Sequence, residues 1–180
     1  MKRLIRKAEI DYNQFLDNLL NSTRFSNSEV DSVISNNPDC VFSGEVYRAL
    51  YFDEVDMEYA LKQSEKIADT KDAKTLTGYV ISELISIDNS YQSFSKNMDG
   101  IEFFHKSELS HNSSSRVIIK INATNGLDVN LLVNKYKDKV DYAEFSEFSS
   151  ENEVLVKFND IYEIIDDSEI YEKIKELINN

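Results

Sequence analysis

Two glutamates stand two residues apart in Ser149-Ser150-Glu151-Asn152-Glu153-Val154-Leu155-Val156, at the mouth of an apolar, β-branched run. At strand spacing, residues i and i+2 share a face, so Glu151 and Glu153 would project side by side as a candidate catalytic pair. Two other polar signals precede them. Arg48 lies in Val46-Tyr47-Arg48-Ala49-Leu50, and a Ser-x-Ser lies in Ser93-Phe94-Ser95-Lys96-Asn97. An arginine, a serine pair and a glutamate pair, each at a candidate strand, would suit an anionic cofactor whose cleavage develops positive charge.

The elements that would position these residues follow from periodicity. Tyr12, Phe15, Leu16, Leu19 and Leu20 recur at i, i+3, i+4, i+7, which predicts an amphipathic helix over 11–20 with Asp11 as its cap. A short helix is expected from Ser28 to Ile34, ended by Asn36-Asn37-Pro38-Asp39. After the Gly44 break, β-branched and aromatic residues predict a strand from Val46 to Tyr51. Helices are expected from Asp56 and over Thr75 to Ile87, and strands at Tyr91 to Ser95 and Val117 to Asn122. Asn125-Gly126 reads as a turn, Leu127 to Tyr136 as an ambiguous apolar piece, and Asn159-Asp160 as a hairpin turn between Val154–Phe158 and Ile161–Ile165. A capped helix from Ser168 to Ile178 closes the chain. This order predicts an α+β fold rather than a doubly wound parallel sheet. Residues 1–40 are expected to form a helical segment packed on the domain made by residues 41–180.

Composition narrows the function classes. The 180 residues suffice for one domain with a real core, and one Pro with four Gly excludes a linker-like or collagenous chain. Cys40 is alone and His105 and His111 fit no ligand pattern, so neither a disulfide framework nor a metal site is expected. The lone cysteine favours a reducing, cytoplasmic setting, and no apolar run is long enough to span a bilayer, so no membrane association is expected. A formal charge of −13 would repel a phosphate backbone, which disfavours direct nucleic-acid binding. Neither a GxGxxG nor a Walker-type loop is present.

Taken in order, Arg48 in Tyr-Arg-Ala-Leu, Ser93-Phe94-Ser95, and Glu151-Asn152-Glu153 before Val154-Leu155-Val156 resemble the R, S-T-S and E-x-E signatures of mono-ADP-ribosyltransferases of the arginine-serine-glutamate class. That class includes bacteriophage and binary-toxin enzymes. The likeness runs from about Phe42 to about Ile165 and departs from the pattern at Phe94, where many members have Thr, and at Ala49, where some have Gly or Arg.

The resemblance implies a split β-sandwich with N-terminal helices, NAD as substrate, no metal, and a protein acceptor modified on arginine. On that likeness, Glu153 would stabilise the oxocarbenium-like ribose and Glu151 would orient the acceptor guanidinium. Arg48 would hold the pyrophosphate, with Ala49 touching the cofactor through its backbone. Ser93 would fix Glu153, Ser95 would line the cofactor site, and Phe104, or its neighbour Phe103, would stack on the nicotinamide. Tyr142, Phe145 and Phe148 would belong to a substrate-recognition loop. The small acidic chain suits a phage factor acting on a host or defence protein in the bacterial cytoplasm.

Each piece alone has an ordinary structural reading: a salt-bridged arginine, loop serines, core phenylalanines. The alternative function is a catalytically inactive or DNA-mimicking acidic inhibitor of a host protein, which would need Glu144, Glu147, Asp166, Asp167 and Glu169 clustered on one open face.

Overall fold

Two long strands carry the architecture. β1 (Val41–Asp53) and β3 (Ser114–Asp128) pair antiparallel almost end to end, from Val41 opposite Leu127 to Asp53 opposite Ser114. Between and after them run β2 (Tyr91–Ser95), β4 (Glu153–Lys157) and β5 (Glu163–Asp166), giving the strand order β1-β2-β4-β3-β5. Because β1 also pairs β3, the first four of these strands close on themselves into a ring, and β5 hangs on the outer half of β3. The helices are α1 (Tyr12–Leu20), α2 (Asn27–Asn36), α3 (Glu54–Ala68), α4 (Ala73–Leu84), α5 (Val129–Tyr136) and α6 (Ser168–Asn179). The structure, a computed structural model, describes residues 10–20, 26–68, 71–101, 114–139, 152–158 and 161–179. The fold is mixed helix and sheet, in keeping with the α+β expectation.

Strand alternation splits the core in two. Val46, Phe94, Val154 and Val156 face α3, α4 and α6, and bury against Met57, Leu76, Val80, Ile81, Ile170 and Ile174. On the opposite face, Tyr91, Leu127 and Leu155 join Phe15, Leu16, Val30 and Val33 of α1 and α2 and Leu132 of α5 in one cluster. The N-terminal helices therefore share a hydrophobic cluster with the strands that carry the candidate site residues.

Local chemistry explains most boundaries. Asp11 Oδ1 accepts from Gln14 N at 3.2 Å, as expected for the cap of α1. α2 is capped by Ser26, whose Oγ accepts from Glu29 N at 3.3 Å, two residues earlier than the expected start at Ser28. Gly44 does not break β1. It adopts φ +149° at a bulge between Phe42 and Gly44, and the strand continues through it.

Two turn assignments are corrected. Asn125-Gly126 lies inside β3, where Gly126 permits the close approach of β4: a Cβ there would come within 2.6 Å of Val154 Cγ1. The expected hairpin across Asn159-Asp160, residues outside those described, is not formed either, since β4 pairs with β2 and β3 whereas β5 pairs with β3. Leu127 to Tyr136 resolves into the end of β3 and the helix α5, capped by Asp128.

α2 is tied to the β2–β4 pair by charge. Asp31 Oδ1 accepts from the Tyr91 hydroxyl at 2.7 Å, and Lys157 Nζ reaches the same carboxylate at 3.0 Å. The Tyr91 hydrogen bond, then Lys157, hold the Asp31 carboxyl below its ordinary range. A lowered folded value means that this contribution is complete above the unfolded carboxylate pKa of about 3.9 and is lost as pH falls through the folded value. Asp31→Asn is thus expected to melt below the parent at pH 7, with the gap closing as pH falls from about 4 through the folded value. Thermal melts of both proteins across that interval test it; a gap independent of pH would mean that charge is not what ties α2 to the strands.

Candidate active site

β1 and β2 touch at one register pair, Tyr47 opposite Ser95, and diverge from there. Directly opposed residues share a face, so Tyr47, Ala49 and Tyr51 of β1 look out on the same side as Ser93 and Ser95 of β2. β4 continues that side of the sheet: Ser95 stands opposite Glu153 and Ser93 opposite Leu155. At the divergence lies a cleft of about 230 Å³, lined by Tyr47, Ala49, Tyr51, Ser93 and Ser95, with Arg48, Phe94 and Ile101 completing the wall.

Arg48 sits where the ladder between β1 and β2 is lost. Its Nη1 donates to the Ser93 carbonyl at 3.2 Å, and its guanidinium carbon stands 5.8 Å from the centre of the Phe94 ring. The side chain thereby takes the place of a missing backbone donor. Burial pushes the Arg48 pKa down, opposed by attraction to Asp88 and Glu153.

Glu153 opens β4 and is only 6% exposed. Ser93 donates a hydrogen bond to its carboxylate, while Oε2 is buried and without a hydrogen-bond partner among the described residues. Burial pushes its pKa up, and the Ser93 bond and the Arg48 charge pull less strongly in the other direction. A carboxylate held by one oxygen, desolvated, and without a hydrogen-bond partner at the other among the described residues is arranged to receive positive charge or a hydroxyl.

The candidate residues therefore divide. Arg48, Ala49, Ser93 and Ser95 line the cleft, and Glu153 stands beside it, opposite Ser95 and hydrogen-bonded by Ser93. Glu151, Phe104, Phe145 and Phe148 lie outside the described residues, as do Phe103, Tyr142, His105 and His111. β4 starts at Glu153, and Asn152 before it adopts φ +50°, a left-handed turn conformation; the shared face expected of Glu151 and Glu153 involves a residue outside those described. Sequence reasoning passed over Tyr47, Tyr51 and Ile101 as cleft residues. The alternation of β1 could have found the two tyrosines, since they flank Ala49 on one face.

Carboxylates of β1, β5 and α6 are paired with two cations of β3. Arg116 pairs with Asp166 at 3.9 Å and with Glu169 at 3.5 Å, and Lys120 bridges Glu45 and Glu163 at 3.1 and 2.8 Å. Asp166 and Glu169 are thus engaged with a cation, while Glu144 and Glu147 lie outside the described residues. No group of His, Cys, Asp and Glu among the described residues is arranged to hold a metal, and no helix among them is long and apolar enough to cross a membrane. Comparison with protein-family models, with curated proteins and with solved structures finds no match.

Proposed function

We propose that this chain is an NAD-dependent mono-ADP-ribosyltransferase acting on a protein, with arginine as the preferred acceptor. The observation that carries the reading is the buried Glu153 carboxylate, held by Ser93 and unpartnered at Oε2 among the described residues, opposite Ser95 of an open cleft that Ser93 and Arg48 also line. The ring of four strands that diverges at Arg48 supports the finer expectation of a split β-sandwich.

The residues present fit the substrate. NAD supplies a ribose–nicotinamide bond whose cleavage sends the bonding electrons out with nicotinamide and leaves positive charge on the ribose. Glu153, desolvated, meets that charge where a water-exposed carboxylate would be screened. Its free oxygen would accept from a ribose hydroxyl, and Ser93 holds the carboxyl in one orientation. Arg48 offers a fork of donors to phosphate oxygens. At about 230 Å³ the cleft is smaller than the roughly 300–1,000 Å³ of sites for drug-sized ligands, so it would take one ring-sized part of the dinucleotide.

The acceptor nitrogen then forms the new bond to the ribose carbon and loses a proton, the step in which Glu151 would serve. A phage-encoded factor acting in the bacterial cytoplasm, on a host or defence protein, is the setting we favour. The test is release of nicotinamide from NAD by the purified protein, followed by chromatography. Release by the parent is expected, through slow transfer to water when no acceptor is present; neither release nor label transfer to any protein would overturn the reading.

A further inference from the structure

Behind the Ser95–Glu153 pair lies a shielded ion pair that the proposed reaction does not use. Lys96 Nζ meets Asp128 Oδ2, with the Asp128 side chain 5% exposed and that of Lys96 25% exposed. Asp128 stands opposite Val154, one residue beyond Glu153, and by alternation both point to the face away from the Glu153 carboxylate. Its other oxygen accepts from Leu131 N at 3.0 Å and caps α5. Lys96 follows Ser95 directly, and its backbone N–H donates to the Asn152 carbonyl at 3.0 Å. The end of β2, the end of β3 and the start of β4 are thus joined within one residue of Glu153, at the point where the left-handed Asn152 makes the strand begin abruptly. A buried ion pair is seldom worth more than well-packed apolar side chains, so stability alone gives little reason for its being there.

We propose that Lys96 and Asp128 are positioning residues: their ion pair sets where the Glu153 carboxylate stands relative to Ser93 and Arg48. The catalytic consequence rests on the transferase reading; the placement of Glu153 does not. Two opposite charge changes separate placement from direct electrostatics. Asp128→Asn keeps a capping oxygen and removes a negative charge, whereas Lys96→Met removes a positive one. The Glu153 carboxyl is followed by 13C NMR of glutamate-labelled protein, its signal assigned by its loss in Glu153→Gln.

Both variants are expected to move the Glu153 titration midpoint the same way, down toward the ordinary carboxylate value as water reaches the group. Lys96→Arg should stay near the parent. Nicotinamide release should fall about tenfold or more in kcat with little change in KM, since misplacement of a reacting group by about 1 Å costs up to about 10²-fold. Midpoints that move in opposite directions in the two variants, or stay at the parent value, would overturn the proposal. Should Lys96→Met fail to fold, Lys96→Gln takes its place. A parent without NAD cleavage would remove the transferase reading, and the NMR titration would still decide the role of the pair.

Discussion

Glu153→Gln is expected to lower ADP-ribose transfer by about 10²–10³-fold while leaving the protein as stable at neutral pH as the parent, or more so. Both halves follow from one balance. The carboxyl is 6% exposed, and burial raises its pKa despite the Ser93 hydrogen bond and the Arg48 charge. The raised direction means that desolvation outweighs those two attractions, so the ionised group is a net cost to the folded state. Glutamine keeps the shape and can still accept from Ser93, but brings no charge to the ribose.

The pH dependence has a definite sign. A carboxyl whose folded pKa lies above its unfolded value of about 4.3 keeps its proton to higher pH in the folded state. Parent stability relative to the variant should therefore fall as pH rises from about 4 through the folded value, and level off above it. Activity should move the other way, since only the ionised form offsets positive charge. Thermal melts of both proteins from acidic to neutral pH, beside the parent's rate profile, test this. Equal activity in parent and variant would remove Glu153 from the chemistry; a parent that loses ground to the variant as pH falls would contradict the burial argument.

Gly126→Ala is expected to cost both stability and activity, although the residue touches no candidate ligand. The added carbon would stand 2.6 Å from Val154 Cγ1 and 3.3 Å from the Leu155 carbonyl oxygen. Val154 is fully buried and stiff about its first side-chain torsion, so β4 must shift rather than one methyl. Overpacking of this kind costs about 1–3 kcal/mol. Because Val154 adjoins Glu153, the same shift displaces the carboxylate relative to Ser93, and a displacement near 1 Å can cost about 10²-fold in rate. Adding Val154→Ala should return part of both losses, since it removes the methyl that is struck. A double-mutant cycle read by denaturant unfolding and by nicotinamide release checks this; strict additivity would mean that the two side chains do not collide.

What could be read in advance was whatever local chemistry decides. β2 occupies Tyr91–Ser95 as expected, because alternation and a bounding turn specify it, and α6 begins at Ser168 as its cap signal indicates. Misreadings arose where tertiary contact overrides a local signal. Asn125-Gly126 has the composition of a hairpin turn, yet Gly126 is there because a neighbouring strand passes too close for a side chain. Asn159-Asp160 joins two strands that are adjacent in sequence, but β3 lies between them in the sheet.

The candidate site divides along the same line. Arg48, Ser93 and Glu153 were legible as types in order, and the register brings Ser93 and Glu153 to one face. The donation of Arg48 to the Ser93 carbonyl was not legible, because it depends on where β1 and β2 part. Nor was the placement of Lys96 and Asp128, since an ion pair between residues so far apart in sequence leaves no periodic trace.

The most direct test of the proposed activity is to incubate the purified protein and its Glu153→Gln variant with NAD labelled in the adenylate moiety and a bacterial lysate, then resolve the proteins. Label on a discrete band with the parent, absent with the variant and removed by treatments that cleave arginine-linked ADP-ribose, is the expected result. No protein-attached label with the parent, or equal label with both, would contradict a transferase that works through Glu153.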